Sequence, residues 1–453
     1  MLFALAGGAS ASAADLNLGA GTYTVDTTAL TFSGPATNTM GTDQGGVAVF
    51  SFDNVSIPAG ATLNVQGARP FKLLATGSLA MAGIINADGV SATDFTAAAN
   101  PGGPGGGAGG STTNVPGLGP GGGGGTADIN NGGGGGGFGG AGARGGRVPA
   151  NSSPVGTGGG SYGDLNASLQ GGSGGGGGAT TGGGGGGGAV ALFGSSVTIS
   201  GTVVARGGGG ATGAGGASGG GSGGAILIHG DLVEVTGTLD ASGGAGGLGG
   251  CCGDGGGGSG GRIAYQFKTL MASGTANTGG GASGVRTTSS CCPHGEGSSP
   301  DAAGFPGVVT KVIAPNATTG PATAVSATSA TLNGTVNPNS NATSYYFEYG
   351  PTGSYGSKIP VASAAVGADG SDHVVSQTIP GLSPATTYHY RIVALDAVGL
   401  NAFGTDIGFT TPAVAAGPPP QPKPKPKHKK CKKGKKLKHG KCVRKKGHRH
   451  HKH

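Results

Sequence analysis

Five charged side chains in the middle of the chain could do acid–base chemistry: Asp231, Glu234, Asp240, Arg262 and Lys268. Carboxylates beside a Lys or Arg are the groups with which polysaccharide lyases and hydrolases move protons. Asp231 and Lys268 are 37 residues apart, which is the spacing of a repeat described below, so we expect them to lie side by side. An exposed ion pair worth about 0–1 kcal/mol explains that arrangement without catalysis. We therefore predict no enzymatic activity, and an extracellular polysaccharide-active enzyme is the alternative.

Six cysteines form the second group of reactive side chains: Cys251, Cys252, Cys291, Cys292, Cys431 and Cys442. An even count in an exported protein favours disulfides. The two Cys-Cys doublets lie in successive glycine-rich stretches of the repeat, so disulfides between neighbouring rungs are geometrically reasonable. The competing hypothesis is a metal site in which the four cysteines join Asp254 and His294. Zinc ligands are usually spaced two to four residues apart, so we predict neither a metal nor a cofactor. Free thiols or one vicinal disulfide remain the third alternative.

The C-terminal segment is strongly basic. Residues 423–453 hold 16 of the 27 Lys and Arg residues and no Asp or Glu. Such a density of charge prevents a packed core, so we expect disorder apart from a loop closed by Cys431 and Cys442. The candidate residues for binding a polyanion are Lys429, Lys430, Lys432, Lys433, Lys435, Lys436, Lys438, Lys441, Arg444, Lys445 and Lys446.

The same segment offers little support for other ligands. Nucleic acid is the alternative polyanion, because Lys runs bind phosphates without regard to sequence. No aromatic side chains interleave the lysines, so base stacking and specific nucleic-acid recognition are unsupported. Weak binding of transition metals is the alternative for the terminal histidines His448, His450, His451 and His453.

A repeat organises the centre of the chain. Residues 189–205 (AVALFGSSVTISGTVVA) match residues 225–241 (AILIHGDLVEVTGTLDA) at an offset of 36. A third copy follows at an offset of 37 through Ile263, Tyr265, Leu270 and Ala272, and residues 71–87 fit the frame through Leu74, Leu79, Met81 and Ile85. Self-similarity at a fixed period indicates a solenoid. The matched apolar pairs are Val190/Ile226, Leu192/Ile228, Val197/Val233, Ile199/Val235 and Val203/Leu239.

Apolar and polar residues alternate within each copy of the repeat. This pattern is typical of half-buried strands, and no stretch shows a helical period with caps, so we expect almost no helix. Recurrence of each strand at a constant spacing favours a right-handed parallel β-helix. An antiparallel β-sandwich is the alternative, although hairpin strands usually recur every 8–12 residues. Residues 15–67 are predicted to form the first rungs and an N-terminal cap.

A polyglycine insertion interrupts this frame at residues 90–182. Gly has the largest backbone entropy to lose and no side chain to pack, which favours a flexible projecting loop. The alternative is that the runs form extended three-fold helices that pack side by side, because Gly lets backbones approach closely.

Composition changes after the repeat, and strands with Tyr and Thr appear at residues 318–412. The segment GLSPATTYHYRIVALDA at 381–397 contains Leu382, Pro384, Thr386 and Tyr388 in the pattern of a tyrosine corner. With ATLNGTVNPNS at 330–340 and SYYFEYGPT at 344–352, it resembles a fibronectin type III domain of bacterial secreted proteins. The resemblance implies a β-sandwich with a spacer or adhesive role. Because the chain has no Trp, Leu332 or Tyr346 must fill the core volume.

The remaining segments suggest export and attachment. Residues 1–14 read as a signal peptide, and no later stretch has the 18 apolar residues of a membrane span. Residues 15–312 form the predicted glycine-rich β-helix, 413–427 a Pro-rich linker and 428–453 the basic tail. The segment CKKGKKLKHGKC resembles the tails of secreted actinobacterial proteins. Together these features predict a secreted, cell-wall-associated structural or adhesive protein that binds anionic wall polymers or other polyanions. Other surface proteins or polysaccharides are further candidate partners. A secreted polyanion- or metal-binding protein is the other alternative.

Overall fold

The computed structural model describes residues 14–444, apart from residues 36, 113, 127, 148–152, 251–252, 286–300, 302, 416–420, 422, 424, 426–429, 434 and 440. Every regular element in the described part is a β-strand, so the prediction of an all-β protein is confirmed at this level. The sheets are mixed, with both parallel and antiparallel pairs. No helix that could cross a membrane occurs among the described residues.

The N-terminal region contributes eleven strands to two long sheets. An antiparallel three-stranded meander, β2–β3–β4, and an antiparallel hairpin, β5–β6, lie at the start, and the other pairs are parallel. The strands are β1 (Leu16–Asn17), β2 (Gly21–Asp26), β3 (Thr31–Gly34), β4 (Thr37–Met40), β5 (Thr42–Gln44), β6 (Val47–Phe52), β7 (Val55–Ile57), β8 (Ala61–Gln66), β9 (Phe71–Ala75), β10 (Ser78–Met81) and β11 (Ile84–Asn86).

The repeat continues both sheets with parallel strands. Its strands are β12 (Ala189–Phe193), β13 (Ser196–Ile199), β14 (Thr202–Val204), β15 (Ala225–Val235), β16 (Thr238–Asp240), β17 (Arg262–Ala272), β18 (Thr275–Asn277) and β19 (Val308–Ile313). The predicted partners face each other across these strands, including Val190 with Ile226 and Ile226 with Ile263. The offsets of 36 and 37 residues therefore set the register of the sheets.

One apolar core lies between the two sheets and extends from Leu16 to Phe267. Inward-facing residues at each level, such as Val203 and Leu239, are fully buried. Each buried Val, Leu or Ile contributes about 1.5–3 kcal/mol relative to exposure. The core is continuous because strands one repeat apart pair in register, so that their buried residues, such as Ile226 and Ile263, are neighbours.

The copy at residues 71–87 differs from the prediction by one residue in its first strand. Leu73, and not Leu74, pairs with Leu192, while Leu74 pairs with Phe193 and is only half-buried. The predicted match would have turned Lys72 into the core, where a charge is costly. Six residues separate Leu73 from Leu79, whereas five separate Leu192 from Val197. The extra residue lets Phe71 and Leu73 keep the inward face.

The polyglycine runs are packed together. In the run at 132–137, successive amides donate in turn to three different neighbouring segments, and every third amide returns to the same neighbour. A period of three residues matches the three-fold extended helix. The donor and acceptor residues are Gly132 to Gly146, Gly135 to Ala143, Gly133 to Ala217, Gly136 to Gly220, Gly134 to Gly124 and Gly137 to Gly121.

These runs bond to one another and to the glycine stretches of the repeat, and the expected flexible loop is not what the structure shows. The insertion bonds to the glycine stretches that precede β15 and β17, for instance through Gly219 to Gly176 and Gly256 to Gly133. A Cβ placed on Gly134 would lie within 3.0 Å of the backbone at Thr157 and Gly156. Only glycine permits this spacing, so the packed alternative describes the insertion.

The segment that follows β19 forms two antiparallel sheets around a second core. Leu332 and Phe347 are fully buried in this core, whereas Tyr346 is half-buried and its ring lies under Lys358, so Tyr346 does not replace the missing Trp. The strands are β20 (Asn316–Thr323), β21 (Ser329–Asn337), β22 (Thr343–Gly350), β23 (Ser357–Gly367), β24 (His373–Pro380), β25 (Thr387–Asp396), β26 (Asn401–Phe403) and β27 (Ile407–Thr410).

The basic tail contains a last hairpin of two antiparallel strands, β28 (Lys435–Lys438) and β29 (Lys441–Arg444). The tail was expected to be disordered apart from its disulfide loop, and in the described residues this loop is folded. Backbone pairing satisfies amides and carbonyls that a flexible loop would leave to water.

Candidate functional site

The tail hairpin is the strongest candidate site because it concentrates charge on a fixed frame. A disulfide joins Cys431 to Cys442, with the two Cα atoms 5.7 Å apart. Cys442 lies opposite Leu437 within the hairpin, so the disulfide ties the chain before β28 to the middle of β29. Closing such a short loop restricts the unfolded chain and favours the hairpin by about 2–3 kcal/mol.

The register distributes the cations over both faces of the hairpin. Opposed residues in an antiparallel pair share a face, so Lys435 and Arg444 lie together, and Lys438 lies opposite Lys441. All four side chains are exposed. Like charges at this separation repel each other and destabilise the pair, and a bound anion relieves that repulsion. The geometry therefore suits a chain of negative charges that can contact several cations at once.

Other predicted tail residues are placed less completely. Lys430, Lys432 and Lys433 flank the hairpin and are exposed. Lys436 lies beside them on β28 and faces Val443 across the hairpin. The predicted residues Lys429, Lys445 and Lys446 and the four terminal histidines lie outside the described residues.

The predicted cysteine cluster of the repeat also lies outside the described residues, since Cys251, Cys252, Cys291, Cys292 and His294 belong to the segments left undescribed. Asp254 is buried, and its carboxylate accepts a hydrogen bond from the amide of Gly249 at 2.8 Å. In the described part of the chain, no three His, Cys, Asp or Glu side chains are grouped so that they could hold a metal ion.

The five candidates for acid–base chemistry do not converge. Lys268 forms an ion pair with Asp231 at 2.9 Å, while Glu234 lies further along β15 between Thr198 and Met271. Asp240 belongs to the other sheet and accepts a hydrogen bond from Asn277 at 3.0 Å. Arg262 begins β17 and donates to the carbonyl of Tyr162 at 3.0 Å. Asp231 and Asp240 therefore each contact a structural partner, and Glu234 occupies a separate position on β15.

The predicted corner residues of the third unit lie around one turn before β25. The hydroxyl of Tyr388 accepts a hydrogen bond from the backbone amide of Ser383 at 3.0 Å. Leu382 is buried in the core, and the Thr386 hydroxyl donates to the carbonyl of Pro384 at 3.0 Å. These contacts hold the turn against the sheet, so the residues have a structural role.

A stacked row of side chains on the strands of the repeat was not expected. The rings of Phe193 and His229 stack with centroids 4.4 Å apart, and the Lys72 ammonium lies 3.7 Å from the Phe193 centroid. His229 Nδ1 also lies 3.0 Å from Gln266 Oε1. Burial lowers the pKa of Lys72 and is the main cause of the lowered pKa of His229. The repeat offsets between residues 193, 229 and 266 could have revealed this row.

A second unexpected cluster lies on the outer face of the five-stranded sheet. Arg391 forms an ion pair with Glu348 at 2.8 Å, and its guanidinium lies between the rings of Tyr355 and Phe403. These residues line or border an open cavity of about 500 Å³. Counting charges would have given a signal, since residues 318–412 contain just two basic residues of the Lys and Arg type, Lys358 and Arg391.

Comparison with known proteins gives distant likenesses only. No family model and no curated protein matches the chain. The shorter form of the sensor domain of the anti-sigma factor RsgI4 from Pseudobacteroides cellulosolvens is 24% identical, covering 23% of this chain and 99% of that chain, with a TM-score of 0.19. The solution structure of that domain is 21% identical, covering 30% and 98%, with a TM-score of 0.18.

A larger protein matches over more of this chain. The cell-surface-expressed chitinase ChiW from Paenibacillus sp. str. FPU-7 is 11% identical, covering 80% of this chain and 23% of that chain, with a TM-score of 0.15. At these scores and identities the likenesses show neither a shared fold nor a shared activity. The functional argument therefore rests on the chain itself.

Proposed function

We propose that this protein is a secreted, non-catalytic structural or adhesive protein that its basic hairpin holds to anionic polymers of the cell wall. The observation that carries the proposal is the disulfide-closed hairpin at Lys435–Lys438 and Lys441–Arg444, which exposes cations on both faces. No carboxylate occurs in residues 423–453 to neutralise them. Clustered cations raise the local concentration of a polyanion and bind it in a salt-dependent way.

Teichoic-acid-type polymers fit this site better than a structured ligand does. The cations stand at short intervals along two exposed strands, and no Phe, Tyr or Trp lies among them to form an aromatic platform. Recognition by charge alone needs repeated phosphates at similar spacing and little else. Because the Debye length is about 8 Å at physiological salt, neighbouring lysines act together on one chain.

The rod supports the structural part of the proposal. Parallel strands at offsets of 36 and 37 residues and a continuous core are the features of a right-handed parallel β-helix, which is the architecture we propose for it. The packed glycine runs add a backbone hydrogen-bonded layer to the outer face. A rod of this kind resists unfolding along its length and separates its two ends.

The unit at residues 318–412 supports a spacer role. We propose that it is a fibronectin type III domain, on the basis of its two antiparallel sheets and the hydrogen bond between Tyr388 and Ser383. Its last strand ends at Thr410, and the Pro-rich residues 413–427 follow. Pro-rich sequences act as semi-rigid spacers, and this composition supports a role in separating the unit from the anchored hairpin.

Binding to a purified polymer tests the anchor. The full chain and a chain ending at Pro412 are passed over immobilised poly(glycerol phosphate) and over neutral dextran. We expect the full chain to be retained on the phosphate polymer, to be released by high salt, and to pass freely over dextran. The shortened chain should not be retained on either. Equal retention of both chains would contradict the proposal.

A second comparison separates the fold of the hairpin from its charge. Cys431→Ser with Cys442→Ser keeps every cation but removes the disulfide. Replacing Lys435, Lys436, Lys438 and Lys441 by Gln keeps the disulfide and removes the charge. We expect the Gln variant to lose most of its retention and the Ser variant to lose less, because charge supplies the attraction and the disulfide supplies its arrangement.

A further inference from the structure

An open cavity lies on the outer face of the five-stranded sheet, outside the tail. Lys358, Glu348 and Arg391 occupy three neighbouring strands at the same level, because Glu348 pairs with Lys358 on one side and with Arg391 on the other. Adjacent strands lie about 4.8 Å apart, so two cations flank one carboxylate. Residues 318–412 contain five Asp and Glu residues, but their Lys and Arg residues are just Lys358 and Arg391. Both of these cations line the same cavity.

Arg391 is held with part of its guanidinium unused. Its Nε–H donates to Oε2 of Glu348 at 2.8 Å, and Nη2 lies 2.8 Å from the same oxygen in the ion pair. A guanidinium has five N–H donors, and its outer edge can bind a carboxylate through two parallel bonds. Within the described chain no other acceptor is recorded for Arg391, so this outer edge is available. The rings of Tyr355 and Phe403, at 5.0 and 4.4 Å, fix the plane of the guanidinium.

Tyr355 is positioned at a conformational cost. Its φ is +55°, a left-handed conformation that is uncommon for an aromatic residue. The conformation is kept by the hydrogen bond from its hydroxyl to Asp406 at 2.9 Å and by the contact with Arg391. Strain of this kind persists where the surroundings enforce it and is concentrated at binding sites. Here it places an aromatic ring in the wall of the cavity.

The cavity offers a particular set of groups to a ligand. Arg391 and Lys358 supply positive donors, and Ser354 and Ser357 line the cavity with them. The hydrogen bond from Nε and the Nη2 contact both go to Oε2, which leaves Oε1 of Glu348 as a second acceptor. A matching ligand needs one carboxylate for the guanidinium edge and hydroxyl donors for Glu348. At about 500 Å³, the cavity lies within the range of about 300–1,000 Å³ for small-molecule sites.

We infer that this cavity binds a hexuronate, a sugar that carries both a carboxylate and several hydroxyl groups. The carboxylate lies on the outer edge of Arg391, with Lys358 adding a second positive charge. A sugar hydroxyl donates to Glu348 Oε1, and the Tyr355 ring packs against the sugar face. The negative charge of the surrounding unit opposes the ligand at long range, but salt screens charges beyond about 8 Å.

Calorimetric titration of the full chain tests this inference. Galacturonate and glucuronate are the ligands, galactose and glucose are the neutral controls, and acetate is the control for a bare carboxylate. We expect binding of a hexuronate at least tenfold tighter than of its neutral parent, the effect of one or more charge-assisted hydrogen bonds. Equal affinity for the neutral sugars, or acetate binding as tightly as the hexuronate, would overturn it.

Variants locate the binding in the cavity. Arg391→Lys and Lys358→Gln should each weaken hexuronate binding about tenfold, because each removes a charge-assisted contact. Lys311→Gln on β19 removes a charge outside the unit and should leave affinity unchanged. Tyr355→Gly removes the ring and should therefore weaken binding. Because glycine adopts a left-handed φ without strain, the substitution should not lower the melting temperature through backbone strain. Unchanged affinity in Lys358→Gln and Tyr355→Gly would overturn the inference, even if Arg391→Lys did not fold.

Discussion

Lys268 on β17 and Asp231 on β15 form an ion pair of 2.9 Å across two parallel strands. The Asp231 side chain is 60% exposed, so solvent and salt weaken the attraction. The pair connects β15 to β17 at the protein surface, and it accounts for two of the charged residues that could otherwise suggest catalysis.

The first prediction concerns the strength of this pair. Asp231→Asn and Lys268→Met are combined in a double-mutant cycle, and the free energy of unfolding is measured by denaturant titration. We expect a coupling energy of about 0–1 kcal/mol that shrinks in high salt, as for other exposed pairs. A salt-independent coupling of several kcal/mol would show that the pair is buried in solution.

The second prediction concerns the glycine layer. Gly134→Ala places a Cβ against the backbone at Thr157, whereas Gly160→Ala meets no atom within 4 Å. Overpacking costs about 1–3 kcal/mol, so Gly134→Ala should lower the melting temperature measurably and Gly160→Ala should not. Hydrogen exchange provides a second measurement, because packed amides such as Gly134 should exchange slowly. Equal melting temperatures for the two variants would indicate that the runs are loose.

The third prediction concerns the corner before β25. Tyr388→Phe removes the hydroxyl that accepts from Ser383 N–H and should destabilise the unit by about 1 kcal/mol. Tyr349→Phe is the control, because Tyr349 packs partly buried against the same core and takes no part in the hydrogen bonds of the corner. Chemical denaturation followed by tyrosine fluorescence measures both. Equal losses in the two variants would show that the Ser383 bond adds nothing.

The fourth prediction concerns His229. Burial lowers its pKa in the folded protein below the ordinary value of 6.5, with a smaller effect in the same direction from Lys72. The unfolded chain therefore binds a proton at His229 more readily than the folded chain does. The free energy of unfolding of the repeat should fall as the pH drops below about 6.5. His229→Gln keeps a polar side chain but removes the titration, so its stability should depend less steeply on pH in this range. Parallel pH profiles for the two proteins would contradict the prediction.

Sequence patterns predicted the strands of the repeat because apolar residues at fixed offsets determine the register. They failed at Leu74, since one extra residue before Leu79 shifts the inward face to Leu73, and counting offsets does not show where that residue is accommodated. The choice between Leu332 and Tyr346 is settled by the face that each side chain takes. Leu332 is buried in the core, whereas Tyr346 lies between the buried residues Tyr345 and Phe347 and points to the other face of β22.

The glycine layer and the cavity were harder to foresee. A run of glycines has no side-chain pattern, so the bonding partners of residues 132–137 come from three-dimensional packing. Lys358 and Arg391 are 33 residues apart, and only the pairing of β22 with both β23 and β25 brings them together. The strands of the hairpin were not foreseen, because the sequence indicated a loop closed by Cys431 and Cys442 but its density of lysines offered no core to fold around.

The central claim is that the basic tail anchors the protein, and fractionation of producing cells tests it most directly. The full chain is compared with a chain ending at Pro412 in wall and medium fractions. The account predicts that the full chain stays with the wall until high salt releases it, while the shortened chain enters the medium. Recovery of both chains in the medium, or of both on the wall, would contradict it.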